Sequence, residues 1–391
     1  MRIEMPEDVR EIIRKLKNSG YEAFAVGGCV RDALLNRTPM DWDITTNALP
    51  REVKKLFRRT VDTGIKHGTV TIMMGASGYE VTTYRIDGDY KDGRHPEAVT
   101  FTRSLEEDLK RRDFTINAMA YNEDEGLIDL FSGQEDLKMH IIRAVGDPCA
   151  RFSEDALRIL RCIRFCAQLD FCPEENTLKA AEALSSRLQY ISEERIREEL
   201  LKTLMSDHPE KVQAFEEIGA MRFIFPGFSE GADLRLQKLS SIRKDLILRL
   251  SAFLYGLDKE EVEKVLKNLK FDNDTLKRTC RLLEFDKKEM PEDDRGLRHL
   301  MAAYGTEDIF RLLEFKERPD LMEKTENILK RGECVSLKML DITGKDLIEK
   351  GMKPGKELGD MLNTLLEIVL DNPEMNRKNL LLECAELAKS N

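Results

Sequence analysis

Two carboxylates one residue apart, in Asp41-Trp42-Asp43, are the residues of this chain best suited to chemistry. On an extended strand, residues i and i+2 point to the same face. Carboxylates held side by side repel unless a cation sits between them, which is the arrangement that binds Mg²⁺ together with a phosphate. A pair of exposed acids at a strand edge has the same spacing. Shortly before the pair stands Gly27-Gly28-Cys29-Val30-Arg31-Asp32. Two glycines where a strand turns into a helix let backbone N–H groups approach an anion, and Arg31, one turn in, can pair with phosphate. A tight turn with a surface arginine is the plainer alternative.

A third stretch runs from Lys110 through Arg111, Arg112, Asp113, Phe114 and Asn117 to Met119. Consecutive arginines can neutralise a triphosphate. Asp113 and Asn117, at i, i+4, offer an acceptor and an amide suited to ribose and base. The same residues also describe a solvated basic turn before a buried segment. In the fourth, Ser153 to Phe165, the residues Asp155, Arg158, Arg161 and Arg164 recur every third position. That spacing predicts a charged stripe on one helix face, beside an apolar stripe of Leu157, Leu160 and Ile163. Asp155 and Arg158 would brace each other across one turn. Taken alone, the stretch reads better as an ordinary amphipathic helix with an Asp–Arg pair.

The elements that must position these groups follow from periodicity. Val9, Ile12, Ile13 and Leu16 predict a helix opened by Pro6 and closed by Gly20. A strand over Tyr21 to Val26, the Gly-Gly turn, a helix with Val30, Leu34 and Leu35, and a strand at Asp41 to Ile44 come next. Arg51 to Arg59 reads as a basic helix. Thr69 to Met74 and Tyr79 to Ile86 read as strands joined by a Gly75…Gly78 turn, Asp87 to Pro96 as a loop, and Val99 to Phe101 as a return to the sheet. Beyond about residue 145 strand signals fade, and Ser153 to Ala167, Glu174 to Leu188 and Ser192 to Leu204 show helical spacing. Pro209, Pro226-Gly227 and Pro291 are candidate breaks. The expected architecture is a head mixing strands and helices, followed by a helical remainder.

The composition sets limits on partners. The chain has 391 residues, enough for several domains, and a net charge of −10 from 63 Lys+Arg against 73 Asp+Glu. This excludes a globally basic coat protein, but not a local basic patch such as Arg51, Lys54, Lys55, Arg58 and Arg59. The absence of a long apolar run and of an apolar N-terminal segment argues against membrane spans and a signal peptide. The eight cysteines form no Cys-x-x-Cys pair, as expected of a reduced, cytoplasmic protein with cysteine in its cores. Irregular spacing and the lack of a nearby histidine argue against a metal site at Cys162, Cys166 and Cys172.

In their order and spacing, GGCVRD, DWD, RRDFTINAMAY and EDALRILRCIRF resemble the class II tRNA nucleotidyltransferases, the CCA-adding enzymes, a family shared with bacterial poly(A) polymerases. Asp341 to Leu347, with Gly351, Pro354-Gly355 and Gly359, resembles the family's tail. The resemblance implies an α+β fold: a polymerase-β-like nucleotidyltransferase head with a small mixed sheet, followed by an all-helical neck, body and tail. The corresponding divisions are 1–140 for the catalytic head, 141–208 for a nucleotide-selecting neck, 209–310 for the body and 311–391 for a tRNA-binding tail. The resemblance puts Mg²⁺ on Asp41 and Asp43. It places the triphosphate against Gly27, Gly28, Arg31 and Arg112, with Asp113 and Asn117 nearby. Asp155, Arg158, Arg161 and Arg164 match the family's nucleotide-selecting helix, and Glu80 matches a third carboxylate seen in relatives. Cys29 occupies a variable position.

The implied partners are ATP, CTP and the acceptor arm and 3′ end of tRNA, with no membrane; oligomeric state is left open. The implied reaction is addition of C, C and A. Relatives that add only CC lack a flexible loop that Asp87 to Pro96 matches, so a CC-only enzyme is disfavoured. An A-adding enzyme or poly(A) polymerase stays open. A non-catalytic RNA-binding relative is disfavoured by the complete carboxylate pair. A small-molecule nucleotidyltransferase is disfavoured by the long helical remainder.

Overall fold

Helix α1 (Glu7–Asn18) forms where Val9, Ile12, Ile13 and Leu16 share a face. All four are buried, with Glu7 and Asp8 in the first turn and Lys15 and Lys17 in the last, where each sign complements the helix dipole. Every residue of strand β1 (Ala23–Val26) is buried, as its interior place in the sheet requires. The chain continues through α2 (Gly28–Leu34), β2 (Ile44–Thr46), α3 (Pro50–Leu56), β3 (Thr60–Gly64), β4 (Thr69–Met74), β5 (Ser77–Thr83), β6 (Arg85–Asp87), β7 (Val99–Phe101) and α4 (Leu105–Lys110). Then come β8 (Met119–Asn122), β9 (Gly126–Asp129) and α5 (Gly133–Met139). The structure, a computed structural model, describes residues 2–87, 99–224 and 232–390.

Seven strands form one sheet in the order β3-β4-β5-β2-β1-β8-β9. Strands β2 and β5 pair in parallel and the other neighbours antiparallel, giving the expected mixed sheet. One difference from the sequence reading lies at Tyr84, where a single strand over Tyr79 to Ile86 was expected. The Tyr84 ring is fully buried, in a core with Phe24, Val26 and Leu109. Its N–H bonds to the Thr46 carbonyl (2.7 Å), and beyond it β6 leaves the sheet to pair with β7. Most of the expected loop over Asp87 to Pro96 lies outside the described residues, as does Pro226-Gly227.

Helices α6 (Pro148–Glu154), α7 (Leu157–Leu169), α8 (Glu175–Leu184) and α9 (Glu193–Leu204) follow. The spacing from Ser153 to Ala167 predicts one uninterrupted helix, and here the structure differs. Asp155 is extended (φ −143°, ψ 104°), and its Oδ1 accepts the Leu157 N–H (3.0 Å). A carboxylate that satisfies an N-terminal N–H starts a helix instead of continuing one. Asp155 therefore lies in the break between α6 and α7, and only the three arginines belong to α7.

The chain divides into two compact units, Met1–Glu230, which holds all the elements above, and Gly231–Asn391. The described part of the second unit is helical. One of its cores gathers Leu297, Met301, Ile309, Leu313, Leu321 and Ile328; another gathers Ile342, Leu347, Leu365, Val369 and Leu381. Asp245, Asp258, Asp272 and Asp293 each cap a helix there through side-chain bonds to backbone N–H groups, which accounts for part of the chain's acidity.

Candidate active site

The Asp41 and Asp43 side chains are exposed while Trp42 between them is buried, the alternation of extended chain. Strand pairing itself begins at Ile44, three residues later than expected. Two register contacts fix the pair. The Val26 N–H donates to the Asp43 carbonyl (2.9 Å), tying the acids to the start of the Gly-Gly turn. Ile44 pairs with Val81 in parallel, so the same register one residue back sets Asp43 beside Glu80. Asp41, Asp43 and Glu80 line one cavity of about 930 Å³, together with Glu4, Thr71 and Tyr79. Although Asp43 keeps a face open to solvent, desolvation within the cavity pushes its carboxyl above its ordinary value. Arg112 opposes that shift, while the Glu80 and Asp41 carboxylates add to it.

Among the described residues no three acid, histidine or cysteine side chains close into a metal cage. The donor set nevertheless fits a hard divalent cation. Mg²⁺ is usually held by one or two carboxylates, with phosphate oxygens and water completing its shell, and such a cation would relieve the repulsion at Asp43.

The arginines gather beside this acidic edge. Gly27 has φ +82°, a conformation that favours glycine, and a Cβ there would lie 3.0 Å from Arg112 Nη1. Arg112 also reaches Asp108 (3.5 Å), and its buried Nε finds no hydrogen-bond partner among the described residues. Arg31 is buried; its Nη1 donates to Asn117 Oδ1 (2.7 Å) and its Nε to Asp32 (2.8 Å). Asn117 Nδ2 in turn donates to Asp113 Oδ1 (3.1 Å). Arg161 from α7 grips Asp113 Oδ2 through Nε (2.8 Å) and Nη2 (2.5 Å). Burial disfavours the charge on Asp113, yet Arg161 and the Asn117 amide outweigh it and hold the carboxyl well below the usual carboxylate range.

An i, i+3, i+6 spacing turns the helix by about −60° per step, so the three arginines of α7 diverge. Arg158 Nη1 donates to Glu154 (2.6 Å) and to the Arg151 carbonyl (3.1 Å), and its Nη2 to the Arg111 carbonyl (3.0 Å). Arg161 takes Asp113. Arg164 takes buried Glu199 of α9 (2.5 Å). Phe165 lies among them, with the Arg164 guanidinium 4.0 Å, Arg31 5.1 Å and Arg161 5.4 Å from its ring centroid. The expected brace between Asp155 and Arg158 is not formed. Asp155 is held by Arg195 and Arg158 by Glu154, because the helix break turns Asp155 away from α7. The sequence reading missed Glu154, Arg195, Glu199 and Phe165 as parts of this cluster.

Residues 23–143 match the family model "Poly A polymerase head domain", residues 170–231 "Probable RNA and SrmB- binding site of polymerase A", and residues 244–385 domain 2 of a tRNA nucleotidyltransferase family. The CCA-adding enzyme of Pediococcus pentosaceus is 39% identical over 391 residues, covering 96% of each chain. The chain belongs to the CCA-adding enzyme family. Another member, from Enterococcus faecalis, is 36% identical and covers 99% of this chain and 98% of its own. The Bacillus stearothermophilus CCA-adding enzyme in complex with CTP is 31% identical and superposes with a TM-score of 0.82, over 99% of this chain and 100% of that one. Family membership carries the general divalent-metal dependence of nucleotidyl transfer. No helix among the described residues is long and apolar enough to cross a membrane.

Proposed function

We propose that this chain adds C, C and A to the 3′ end of tRNA, taking CTP and ATP as substrates and Mg²⁺ as cofactor, in the cytoplasm where tRNA matures. The observation that carries the reading is the meeting of an acidic pair and an arginine cluster at the Gly27 turn, with the α6–α7 break beside them. In this assignment residues 1–140 perform catalysis and 141–208 select the base, while 209–310 and 311–391 hold the tRNA.

The reaction is in-line attack of the tRNA 3′-hydroxyl on the α-phosphate, with pyrophosphate leaving. Asp41 and Asp43 would hold Mg²⁺, with Glu80 at the edge of the same cavity; bound there, the ion would lower the pKa of the 3′-hydroxyl and offset the charge of the phosphates. Gly27 and Gly28 let the triphosphate approach the backbone, and Arg31 and Arg112 supply fixed positive charge. Asp113 and Asn117 keep Arg31 in place.

Base choice follows from hydrogen-bond order. Cytosine and adenine each present an amino donor beside a ring-nitrogen acceptor; uracil and guanine present a carbonyl beside an N–H. Asp155 accepts from the amino group and Arg158 donates to the ring nitrogen. Three of the five Arg158 N–H donors are taken by protein acceptors, which leaves donors for a base. A wrong base sets acceptor against acceptor and donor against donor, at a cost of roughly 1–3 kcal/mol for each unpaired buried group.

The test is incubation of tRNA lacking its 3′ CCA with Mg²⁺ and each labelled triphosphate, singly and together. Incorporation of C and then A supports the reading; A alone, or an unending A tail, would replace it with A addition or poly(A) synthesis. Arg158→Ala should lower the CTP-over-UTP ratio of kcat/KM, and an unchanged ratio in both Arg158→Ala and Asp155→Ala would move base selection elsewhere.

A further inference from the structure

Cys162, Cys166 and Cys172 take no part in the chemistry above, and among the described residues they belong to no metal cage. They line one cavity of about 310 Å³. Ile159, Cys162, Ile163 and Cys166 form its α7 wall, on the helix face roughly opposite Arg158, Arg161 and Arg164. Leu178 of α8 and Ile218 add apolar surface. A cavity of this volume with apolar walls is at the small end of ligand pockets.

The three thiols differ in what they can do. Cys162 and Cys166 are buried. A hydrogen bond with Cys166 and burial both push the Cys162 thiol well above its ordinary value, so it stays neutral and packs as a small apolar group. Cys172 is exposed, on a fixed backbone. The chain turns at Asp170 (φ 60°), the Phe171 N–H bonds to the Cys166 carbonyl (3.2 Å), and the Cys172 N–H bonds to the His140 carbonyl (2.9 Å). Lys211 reaches the same cavity. Its Nζ donates to the Phe171 carbonyl (3.0 Å) and to Asp170 (2.7 Å), which leaves one of its three N–H donors for a ligand.

We propose that this cavity is a covalent modification site: it takes a small apolar α,β-unsaturated carbonyl compound, which adds to the Cys172 sulfur beside Lys211. The sulfur bonds to the β-carbon, the C=C becomes a single bond, and the thiol proton ends on the α-carbon; nothing leaves and no oxidant is consumed. The Lys211 ammonium donates to the carbonyl oxygen, which draws charge from the β-carbon as the bond forms. The apolar body of the compound is buried against the α7 wall. A close-packed interior transmits strain, so an adduct there presses on the back of the helix whose other face carries the arginines, and lowers activity.

The experiment treats the full chain with N-methylmaleimide or N-benzylmaleimide, which share the reacting group and differ in apolar bulk. Labelling rates at Cys172 and Cys149 are read by peptide mass spectrometry; Cys149, exposed on α6 and outside the cavity, is the internal control. The Cys172-over-Cys149 rate ratio should be roughly tenfold higher for the benzyl compound, whose ring the cavity buries. Lys211→Met, with its melting temperature checked, should slow Cys172 and leave Cys149 unchanged; should it fail to fold, the two-maleimide ratio decides. Labelling of Cys172 should lower incorporation of C into tRNA lacking its 3′ CCA by about tenfold or more. Cys172→Ser should keep the basal activity and lose that sensitivity. Equal ratios for the two maleimides would make Cys172 an ordinary exposed thiol and overturn the proposal. Full activity after labelling at Cys172, or inhibition that persists in Cys172→Ser, would overturn it as well. Labelling is read without tRNA, so an unlabelled protein that incorporates no nucleotide would overturn the tRNA reading and leave the labelling ratio to decide this one.

Discussion

Replacing Asp113 with Asn tests whether the arginine cluster is built around this carboxylate. Asp113 is buried and accepts from Arg161 Nε and Nη2, from Asn117 Nδ2 (3.1 Å) and from the Phe114 N–H (2.8 Å). In Asp113→Asn the amide oxygen can replace Oδ1 and keep Phe114 and Asn117. The NH₂ then replaces Oδ2 and points donors at the two donors of Arg161. The loss is one doubly hydrogen-bonded ion pair. Breaking a buried pair costs about 3–5 kcal/mol, but Arg161 is a third exposed, so about 2–4 kcal/mol is expected after allowing for solvent. For a unit of this size that is a fall in melting temperature of roughly 4–16 °C at pH 7.

The pH dependence carries a sign. The folded Asp113 carboxyl lies below its unfolded value. Its stabilisation is therefore complete above the ordinary aspartate pKa of about 3.9, and it is lost as pH falls through the folded value. The gap between wild type and Asp113→Asn should stay constant from about pH 7 to pH 5 and close only in stronger acid. Scanning calorimetry of both proteins over that range is the assay. In activity, releasing Arg161, which shares the Phe165 ring with Arg31, should raise KM for CTP and ATP together and leave the CTP-over-UTP ratio alone. A melting temperature within about 1 °C of the wild type would refute the reasoning, because it would mean that the Arg161 grip contributes nothing net.

Asp41→Ala and Asp43→Ala should each abolish incorporation of both C and A at an unchanged melting temperature, since both side chains are exposed; near-normal turnover with Mg²⁺ in either would remove the metal assignment. Gly27→Ala should destabilise the protein by about 1–2 kcal/mol, from its positive φ, and should raise KM for both nucleotides, since the new methyl meets Arg112 at 3.0 Å. Wild-type kinetics in that variant would show that the turn does not set the position of Arg112.

The candidate residues were legible in the sequence because their types are informative at short range. Asp-x-Asp, a Gly-Gly turn and paired arginines need only local geometry to suggest metal and phosphate binding, their order carries the family resemblance that implies the mixed sheet, and the helical remainder follows from periodicity. The errors lie where the outcome depended on a partner far along the chain. Asp155 breaks the helix with a local bond to the Leu157 N–H, which a stripe counted in threes does not weigh, and its carboxylate is held by Arg195, far along the chain. Tyr84 ends a strand where its buried ring packs with Phe24, Val26 and Leu109, partners that lie far from it along the chain.

One such partner could have been found by asking where a charge was misplaced. Glu199 sits on α9 in register with Ile196, Leu200 and Thr203, all of them buried. An acid on an apolar helix face must be paired, since an isolated buried carboxylate costs far more than a helix packing can return. On α7, Arg164 adjoins the apolar Ile163 and Phe165 and raises the same demand with opposite sign. Two amphipathic helices that carry ions of opposite charge on their buried sides are most simply satisfied by packing those faces together. The α7–α9 pairing and the Arg164–Glu199 bond are that solution.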